Sequence, residues 1–287
     1  MKEVLKNIVT AHKDFVFRSD LYEIKFMNHD DSSEIIKGWN ENFCVTYVHS
    51  GNLLFDLFRH NYNLHTGCIL LDKPQCDFKI LPTIGQCTII RFNAQFYQTI
   101  LQNAKDKNVF FLTNNNLLSL SLKSNPALDY LHYQIFENRH TVHQLEMDVL
   151  VIEFLNRVFE IISNNPNQIN YINDAVKKYQ LPVVEMAKEY MYRHLTEDIS
   201  LNQVATHACI SPFHFSRIFK QLTSYSPNQY LLNMRMANSK FLLKNTELSI
   251  GEVAHLSGFK TPEYFATSFK QKFDKNPSDY RKAFLVK

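Results

Sequence analysis

Over the first 93 residues, short apolar and β-branched runs alternate with turn residues. Two of these runs, 43–49 and 53–59, are separated by Ser50-Gly51-Asn52, and two β-prone runs across a glycine-centred turn predict a hairpin. Three further runs of the same kind follow, at 68–71, 77–81 and 87–92. Short strands separated by turn residues at such regular spacing predict a sandwich or a small barrel.

Between 93 and 164 the apolar positions change to a helical period, which predicts helices over 94–103, 125–137 and 141–163. The last helix is apolar on two faces and therefore needs two partners. The first face consists of Leu145, Val149, Ile152 and Phe159. The second face consists of Met147, Val151, Phe154, Val158 and Ile161. If this face covers the sheet, the first face is left for a second subunit, which predicts a homodimer; alternatively, both faces pack within one subunit. The predicted dimerisation residues are Leu145, Val149, Ile152, Asn156 and Phe159, with the polar Asn156 able to fix the register.

The region 200–280 contains one pattern twice. Ser200-Leu-Asn-Gln-Val204-Ala205 realigns with Ser249-Ile-Gly-Glu-Val253-Ala254 at an offset of 49, and 211–221 realigns with 261–271 at an offset of 50. Each copy predicts a short helix, a tight turn and a second helix, because Ser or Thr followed by Pro is a strong helix-start signal. This geometry places the side chains of the second helix in the DNA major groove. The sequence therefore predicts a protein with two DNA-reading helices.

Residues 227–245 join the two copies and contain no internal Gly or Pro, which predicts one continuous helix of about 27 Å. That length suits two recognition helices in successive major grooves, about 34 Å apart. Phenylalanines at core spacing predict the inward face of each recognition helix. The predicted outward residues are Phe213, His214, Ser216 and Arg217 in the first helix and Glu263, Tyr264, Ala266 and Thr267 in the second.

A specific set of residues across both copies resembles the C-terminal domain of AraC/XylS-type bacterial transcription regulators. The set comprises Val204-Ala205, Ser211, the run 215–220, Pro227, Tyr230, Ile250, Val253-Ala254, Gly258-Phe259, Tyr264-Phe265, Phe269-Lys270, Pro277 and Tyr280-Arg281. It covers roughly 105 residues in the family's order and spacing. The resemblance implies a DNA-binding transcription factor with an effector-binding or dimerising N-terminal domain, which in this family is often a cupin-like barrel. RNA polymerase is a further partner if the protein is an activator.

The resemblance also implies which outward residues reach the bases. These are Phe213, Ser216 and Arg217 in the first helix and Pro262, Glu263, Ala266 and Thr267 in the second. Arg217 can bond guanine twice, Ser216 can reach a base edge, and Phe213 can touch thymine methyl groups. Lys220, Lys270 and Thr261 suit contacts to the DNA backbone. Because Thr267 is short and uncharged, we expect the first helix to discriminate sequence more strongly than the second.

Charge divides unevenly along a chain whose formal net charge is +3. Residues 183–287 carry 14 Lys and Arg against 9 Asp and Glu, whereas residues 1–182 carry 17 against 19. This division fits double-stranded DNA as the partner of the C-terminal region alone. The five cysteines show no CxxC pair and no zinc-ligand spacing, and the N-terminus has no signal-peptide pattern. With no run of roughly 20 apolar residues either, we expect a cytoplasmic protein with no membrane partner.

The N-terminal region offers candidates for binding a small-molecule effector of unknown identity. Tyr47, Phe55, Arg59 and His65 are the candidate pocket residues, although strand alternation does not say which face is inside. Metal-binding cupins use a His-x-His pair, which the barrel region lacks; only His140 and His143, three apart near a helix start, have suitable spacing. No catalytic triad or phosphate-binding loop stands out. We therefore expect neither an enzyme nor a cofactor or metal; the alternative is a cupin-type metal enzyme fused to a DNA-targeting module.

Together these patterns predict an α+β protein of two domains. A cupin-like β-barrel with a helical dimerisation segment is predicted over 1–163, and a polar linker with a proline over 164–181. An all-α domain is predicted over 182–287, with two helix-turn-helix motifs joined by a long helix.

Overall fold

The computed structural model describes residues 15–29, 35–57, 60–106, 109–164 and 179–285. The chain divides into two compact units. The first comprises residues 1–124 and 134–182, and the second comprises residues 125–133 and 183–287. A sheet-rich N-terminal region and a helical C-terminal region are thus confirmed.

Antiparallel strands form the sheet of the first unit. The described strands are β1 (Phe15–Arg18), β2 (Tyr22–His29), β3 (Ile36–Asn40), β4 (Phe43–Leu57), β5 (His60–His65), β6 (Cys68–Asp72), β7 (Cys76–Leu81), β8 (Gly85–Phe92) and β9 (Ser119–Lys123). The main path runs β1-β2-β8-β4-β6-β9; β5 and β7 also pair with β4, and β3 pairs with β7. The predicted strands at 68–71, 77–81 and 87–92 are confirmed as β6, β7 and β8.

The predicted hairpin at Ser50-Gly51-Asn52 is wrong, because β4 continues through these residues as a single strand of 15 residues. The register between β4 and β8 shifts between Val48 and Ser50, so the strand contains an irregularity instead of a turn. Gly51 has a φ of +72°, and a side chain there would clash with the carbonyl oxygen of Ile84 on the neighbouring segment. A glycine therefore marks this bend in the strand, a known use of glycine within strands.

The halves of β4 on either side of this irregularity pair with different strands. The first half pairs with β6 and β8, and the second half with β5 and β7. The buried side chains enclosed by these strands form one apolar cluster. They are Cys44, Val48, Leu53, Phe55, Leu57, Leu64, Leu70, Cys76, Ile80, Cys87 and Ile89.

Helices follow the sheet and form most of the second unit. They are α1 (Ala94–Asp106), α2 (Phe110–Thr113), α3 (Pro126–Glu137), a 3-10 turn (Asn138–His140), α4 (Gln144–Asn164), α5 (Leu181–Arg193), α6 (Leu201–His207), α7 (Pro212–Thr223), α8 (Pro227–Asn245), α9 (Ile250–Leu256), α10 (Pro262–Phe273) and α11 (Pro277–Leu285). The helices predicted to start at 94, 125 and 227 begin at Ala94, Pro126 and Pro227, each within one residue of the prediction. The long helix predicted from 141 begins three residues later, at Gln144, because residues 141–143 continue the turn that follows the 3-10 helix Asn138–His140.

Helix α3 contributes residues to both units. Asn125 caps its start, with Oδ1 accepting hydrogen bonds from the backbone N–H groups of Ala127 and Leu128 at 3.0 Å each. Residues 125–133 pack with the second unit, whereas 134–137 belong to the first. The sequence did not indicate this division of the helix. Most of the predicted linker, residues 165–178, lies outside the described residues, so its role stays a prediction.

Candidate nucleic-acid interface

Helices α7 and α10 begin with the caps that the sequence predicts. Ser211 Oγ accepts a hydrogen bond from the His214 backbone N–H at 3.5 Å, and Thr261 Oγ1 accepts one from Tyr264 at 3.1 Å. In each case proline is the first helical residue, where its missing N–H costs nothing. The preceding helices α6 and α9 also start in capping boxes, at Ser200 and Ser249. Local sequence therefore specifies four helix starts in the two motifs.

One face of each recognition helix is buried in the second unit. Phe215 and Phe219 are fully buried, and the Phe219 ring lies edge-on to the Tyr230 ring with centroids 5.1 Å apart. The second motif repeats this arrangement, since the Phe269 ring lies edge-on to Tyr280 at 5.4 Å. Edge-to-face packing of this kind gives a defined orientation as well as buried area. These contacts hold each recognition helix against the helix that follows it.

The opposite faces of α7 and α10 point away from this core. Phe213 has 79% of its surface exposed, and His214, Arg217 and Lys220 are exposed on the same helix. Ser216 and Ala266 are partly buried at matching positions. The remaining predicted residues of the second helix are all exposed: Thr261, Pro262, Glu263, Tyr264, Thr267 and Lys270. The structure thus brings the predicted residues of each helix onto one face.

The turns between the paired helices share a left-handed residue at matching positions. Cys209 has a φ of 55° in the first turn, and Gly258 has a φ of 80° in the second. Only Gly258 is closely packed, because a side chain there would clash with the Leu195 carbonyl oxygen and with Arg235. Cys209 is exposed. The first turn therefore tolerates a side chain sterically, at the cost of backbone strain.

Two polar residues of α8 fix the loops around the motifs, and the sequence pattern indicates neither. Arg235 donates from Nε to the Leu195 carbonyl at 2.9 Å and from Nη2 to the Glu197 carbonyl at 2.5 Å. Asn238 donates to the Leu256 carbonyl at 3.0 Å, near the end of α9. Burial lowers the pKa of Arg235 from its usual value, although the guanidinium stays charged. No local pattern marks these residues, because their partners lie 18 to 40 residues away in sequence.

Comparisons with known proteins bear on the same region. A family model described as a helix-turn-helix domain matches residues 204–283, which include α7, α8 and α10. Regulatory protein PocR of Salmonella typhimurium is 31% identical over 128 residues, covering 43% of this chain and 41% of PocR. The uncharacterized HTH-type transcriptional regulator YdeC of Bacillus subtilis is 21% identical over 267 residues, or 89% of each chain. Residues 204–283 therefore form an AraC-type helix-turn-helix domain, which confirms the resemblance over this part of the chain.

The match to PocR spans less than half the length of that protein. Among solved structures, the DNA-binding domain of AdpA in complex with a target DNA is 30% identical, with a TM-score of 0.34 over 36% of this chain and 92% of that chain. A structure of ToxT from Vibrio cholerae is 15% identical, with a TM-score of 0.38 over 92% of this chain and 99% of that chain.

Among the described residues, the predicted effector residues Tyr47 and Phe55 do not share one face of the sheet. Tyr47 is buried against α4, with its ring edge-on to Phe154 at 6.2 Å. Phe55 belongs to the apolar cluster enclosed by the strands. The irregularity between Val48 and Ser50 changes which residues of β4 face that cluster, so simple alternation does not carry across it. His65 is buried with Nδ1 3.0 Å from the Thr66 carbonyl oxygen, and Arg59 lies outside the described residues.

The strands also enclose a polar group that the sequence did not predict. Asn40 donates from Nδ2 to Asp72 Oδ2 at 2.5 Å, and the Cys76 thiol lies 3.9 Å from the same oxygen. Burial raises the pKa of Asp72 to about 7, although the hydrogen bond from Asn40 opposes this shift. His49 is half-buried by its side-chain exposure, and the desolvation of its ring together with the charge of Arg139 lowers its pKa to about 3. His49 is therefore neutral at physiological pH.

Within the ranges that the structure describes, no group of three His, Cys, Asp or Glu side chains is arranged to hold a metal ion. His140 ends the 3-10 turn and His143 immediately precedes α4. Over the same residues, no helix combines the length and apolar character needed to cross a membrane.

The two apolar faces of α4 have different surroundings. Met147, Val151, Phe154 and Val158 of the second face are buried in the first unit. On the first face, Leu145 is 79% exposed, and Val149 and Ile152 are also exposed. Phe159 differs from these three, since it is partly buried with its ring 6.5 Å from that of Phe43. Asn156 is partly buried as well.

Proposed function

We propose that this chain is a sequence-specific, double-stranded-DNA-binding transcription regulator that inserts α7 and α10 into successive major grooves. The observation that carries this proposal is the pair of capped helices with outward faces, joined by the single helix α8 of 19 residues. A helix of that length spans about 28 Å, which with the bodies of the motifs suits grooves about 34 Å apart.

The side chains on the two outward faces support unequal roles. Arg217 is exposed on α7 and can form two hydrogen bonds with guanine, whereas the matching Thr267 of α10 is short and uncharged. Phe213 is a large apolar residue in solvent, which suits contact with thymine methyl groups. Lys220 and Lys270 lie further along each helix and suit phosphate contacts. In this proposal the first helix carries most of the base discrimination.

The first unit is proposed to be a cupin-like barrel that binds a small-molecule effector. The described antiparallel strands, with β4 shared between two groups of pairing partners, support this architecture. Phe55 faces the enclosed apolar cluster and is the predicted effector residue best placed to line a pocket there. The buried Asp72 and Asn40 would add polar selectivity to such a pocket.

A homodimer through α4 is proposed on the exposure of its first face. Leu145, Val149 and Ile152 recur at helical spacing on a face that the first unit does not cover. Exposed apolar stripes of this kind mark interaction surfaces more often than isolated exposed residues do. Phe159 contributes mainly to packing against Phe43 within the unit, so we place the interface toward the start of the helix. The regulator would act in the cytoplasm and contact RNA polymerase if it activates transcription.

Selection of binding sites from random double-stranded DNA, followed by footprinting, tests the proposal. We expect each subunit to protect two half-sites on one face of the duplex, about one helical turn apart, and the affinity to fall steeply with salt. Measuring the metal content of the purified protein tests the alternative that the chain is a cupin-type metal enzyme fused to a DNA-targeting module. Recovery of no preferred sequence would contradict the proposed function, and stoichiometric bound metal would instead favour the metal-enzyme alternative.

A further inference from the structure

A buried polar cluster in the second unit joins residue Asp129 of α3 to helices α5 and α8. Asp129 is 2% exposed and accepts two hydrogen bonds through Oδ2. Lys188 of α5 donates from Nζ at 2.6 Å, and Tyr230 of α8 donates from its hydroxyl at 2.5 Å. Lys188 is buried too, so the pair is an ion pair shielded from water. All three residues lie within the second unit.

The order of donors in this cluster follows from its chemistry. Tyr192 Oη lies 2.9 Å from Tyr230 Oη, and Tyr230 directs its own proton to Asp129. Burial raises the pKa of Tyr192 well above its usual value, and the charge of Asp129 raises it further. Tyr192 therefore stays protonated and donates to Tyr230. Hydrogen bonds to a carboxylate are the stronger kind, and a low-dielectric interior strengthens them further.

Tyr230 connects this cluster directly to the first recognition helix. Its hydroxyl is held by Asp129, while its ring packs edge-on against Phe219 of α7 with centroids 5.1 Å apart. Phe219 lies on the inward face of α7, whose other face carries the exposed Arg217 and Lys220. The position of the Asp129 carboxylate therefore constrains the Tyr230 ring, and the ring constrains the helix that reads DNA.

The carboxylate comes from a part of the chain well separated from the readers in sequence. Asp129 and Tyr230 are 101 residues apart, and Asp129 lies in the stretch that the sequence assigns to the effector-binding domain. Residues 134–137 of the same helix belong to the first unit. A family model spanning 204–283 covers Tyr230 but not Asp129 or Lys188.

We propose that Asp129 is a positioning residue for DNA binding, which acts through Tyr230 to hold the first recognition helix in its reading orientation. The proposal rests on the proposed DNA-binding function. It makes residues 125–133 part of the DNA-reading unit, although the sequence assigns them to the N-terminal domain.

The test compares two pairs of variants of the full chain on its selected DNA site. Asp129→Asn removes the carboxylate, and Tyr230→Phe removes only the hydroxyl while leaving the Asp129–Lys188 ion pair and the ring. The matched controls are Asp148→Asn and Tyr22→Phe in the first unit, because Tyr22 donates to Asp148 at 2.6 Å in the same way. Affinity is measured by fluorescence anisotropy, and protection of each half-site by hydroxyl-radical footprinting.

We expect Asp129→Asn and Tyr230→Phe to weaken binding about 5- to 100-fold, with protection lost at the first reader's half-site and kept at the second. We expect both controls to bind within about twofold of wild type, since their hydrogen bond lies in the other unit. A purely structural role would lower protection at both half-sites together. That pattern, or unchanged affinity of folded Tyr230→Phe, would overturn the proposal.

If Asp129→Asn does not fold, because it leaves Lys188 buried with no carboxylate, the double variant Asp129→Asn with Lys188→Met replaces it. Removing both charges avoids an uncompensated buried ion. Loss of protection at the first half-site in this variant supports the proposal, and a variant affinity equal to that of wild type refutes it. A wild-type chain that selects no DNA sequence would contradict the proposed function itself, whereas wild-type binding with unaffected variants would contradict only the role of Asp129.

Discussion

Replacing Cys209 by glycine should stabilise the second unit, because this residue occupies the left-handed region at a φ of 55°. For residues other than glycine that conformation costs roughly 1–2 kcal/mol, since Cβ approaches the following carbonyl oxygen. The matching position in the second motif is Gly258, at a φ of 80°. The two turns also share their hydrogen bonds, from Ile210 to Ala205 and from Phe259 to Ala254, both at 3.0 Å.

The net stabilisation is smaller than the strain energy that the glycine removes, because glycine also increases the conformational entropy of the unfolded chain. That effect opposes stabilisation by roughly 0.5–1 kcal/mol. We therefore expect Cys209→Gly to raise the free energy of unfolding by several tenths of a kcal/mol to about 1 kcal/mol. For a unit of this size such a change corresponds to a rise in melting temperature of about 2–6 °C. The exposure of Cys209 means that little packing is lost on removing the thiol.

The assay is thermal and urea unfolding of the full chain under reducing conditions, followed by the helical circular-dichroism signal. Cys209→Ala is the matched control, because it removes the thiol but keeps Cβ and its strain, and its midpoint should match that of wild type. A midpoint for the glycine variant at or below those of wild type and the alanine variant would refute the strain argument. DNA binding that is lost on mild oxidation and retained in Cys209→Gly would show a redox role for the thiol.

Three further predictions concern the recognition helices, the first unit and α4. Arg217→Ala should weaken the free energy of binding to the selected site by roughly 1–3 kcal/mol and reduce the sequence preference at one base position, whereas Thr267→Ala should weaken binding by under about 1 kcal/mol. If Thr267→Ala changes base preference more than Arg217→Ala does, the second recognition helix is the dominant one. Burial raises the pKa of Asp72 to about 7, so the native state keeps this carboxyl protonated at a pH where the unfolded chain has already ionised it; the free energy of unfolding of the first unit should therefore fall by roughly 3–4 kcal/mol as the pH rises from about 4 to about 7. Asp72→Asn should remove this pH dependence in calorimetric melts, and a variant with the same pH profile as wild type would contradict the prediction. Leu145→Glu should convert dimer to monomer in sedimentation with little change in melting temperature, because Leu145 is 79% exposed; an unchanged mass would exclude this face as the interface.

The sequence alone determined the two motifs and the helix between them. Each helix start is set by contacts within a few residues, such as Ser211 to His214 and Thr261 to Tyr264, so the signal is local and readable. The phenylalanine spacing then fixed which faces of α7 and α10 are inward. The same local logic placed three of the strands and the two apolar faces of α4.

Only the tertiary structure decided how distant segments combine. The glycine at 51 looked like a turn, but whether a chain turns or continues through a bend depends on the strands that pair with it on either side. Phe159 belongs to the exposed face by spacing, yet it packs against Phe43 because that ring lies within reach. Asp129 meets Lys188 and Tyr230 across 59 and 101 residues of sequence, and helical periodicity carries no information about such partners. Contacts of this range are set by packing of the whole unit, which is why its assembly from 125–133 and 183–287 is visible only in three dimensions.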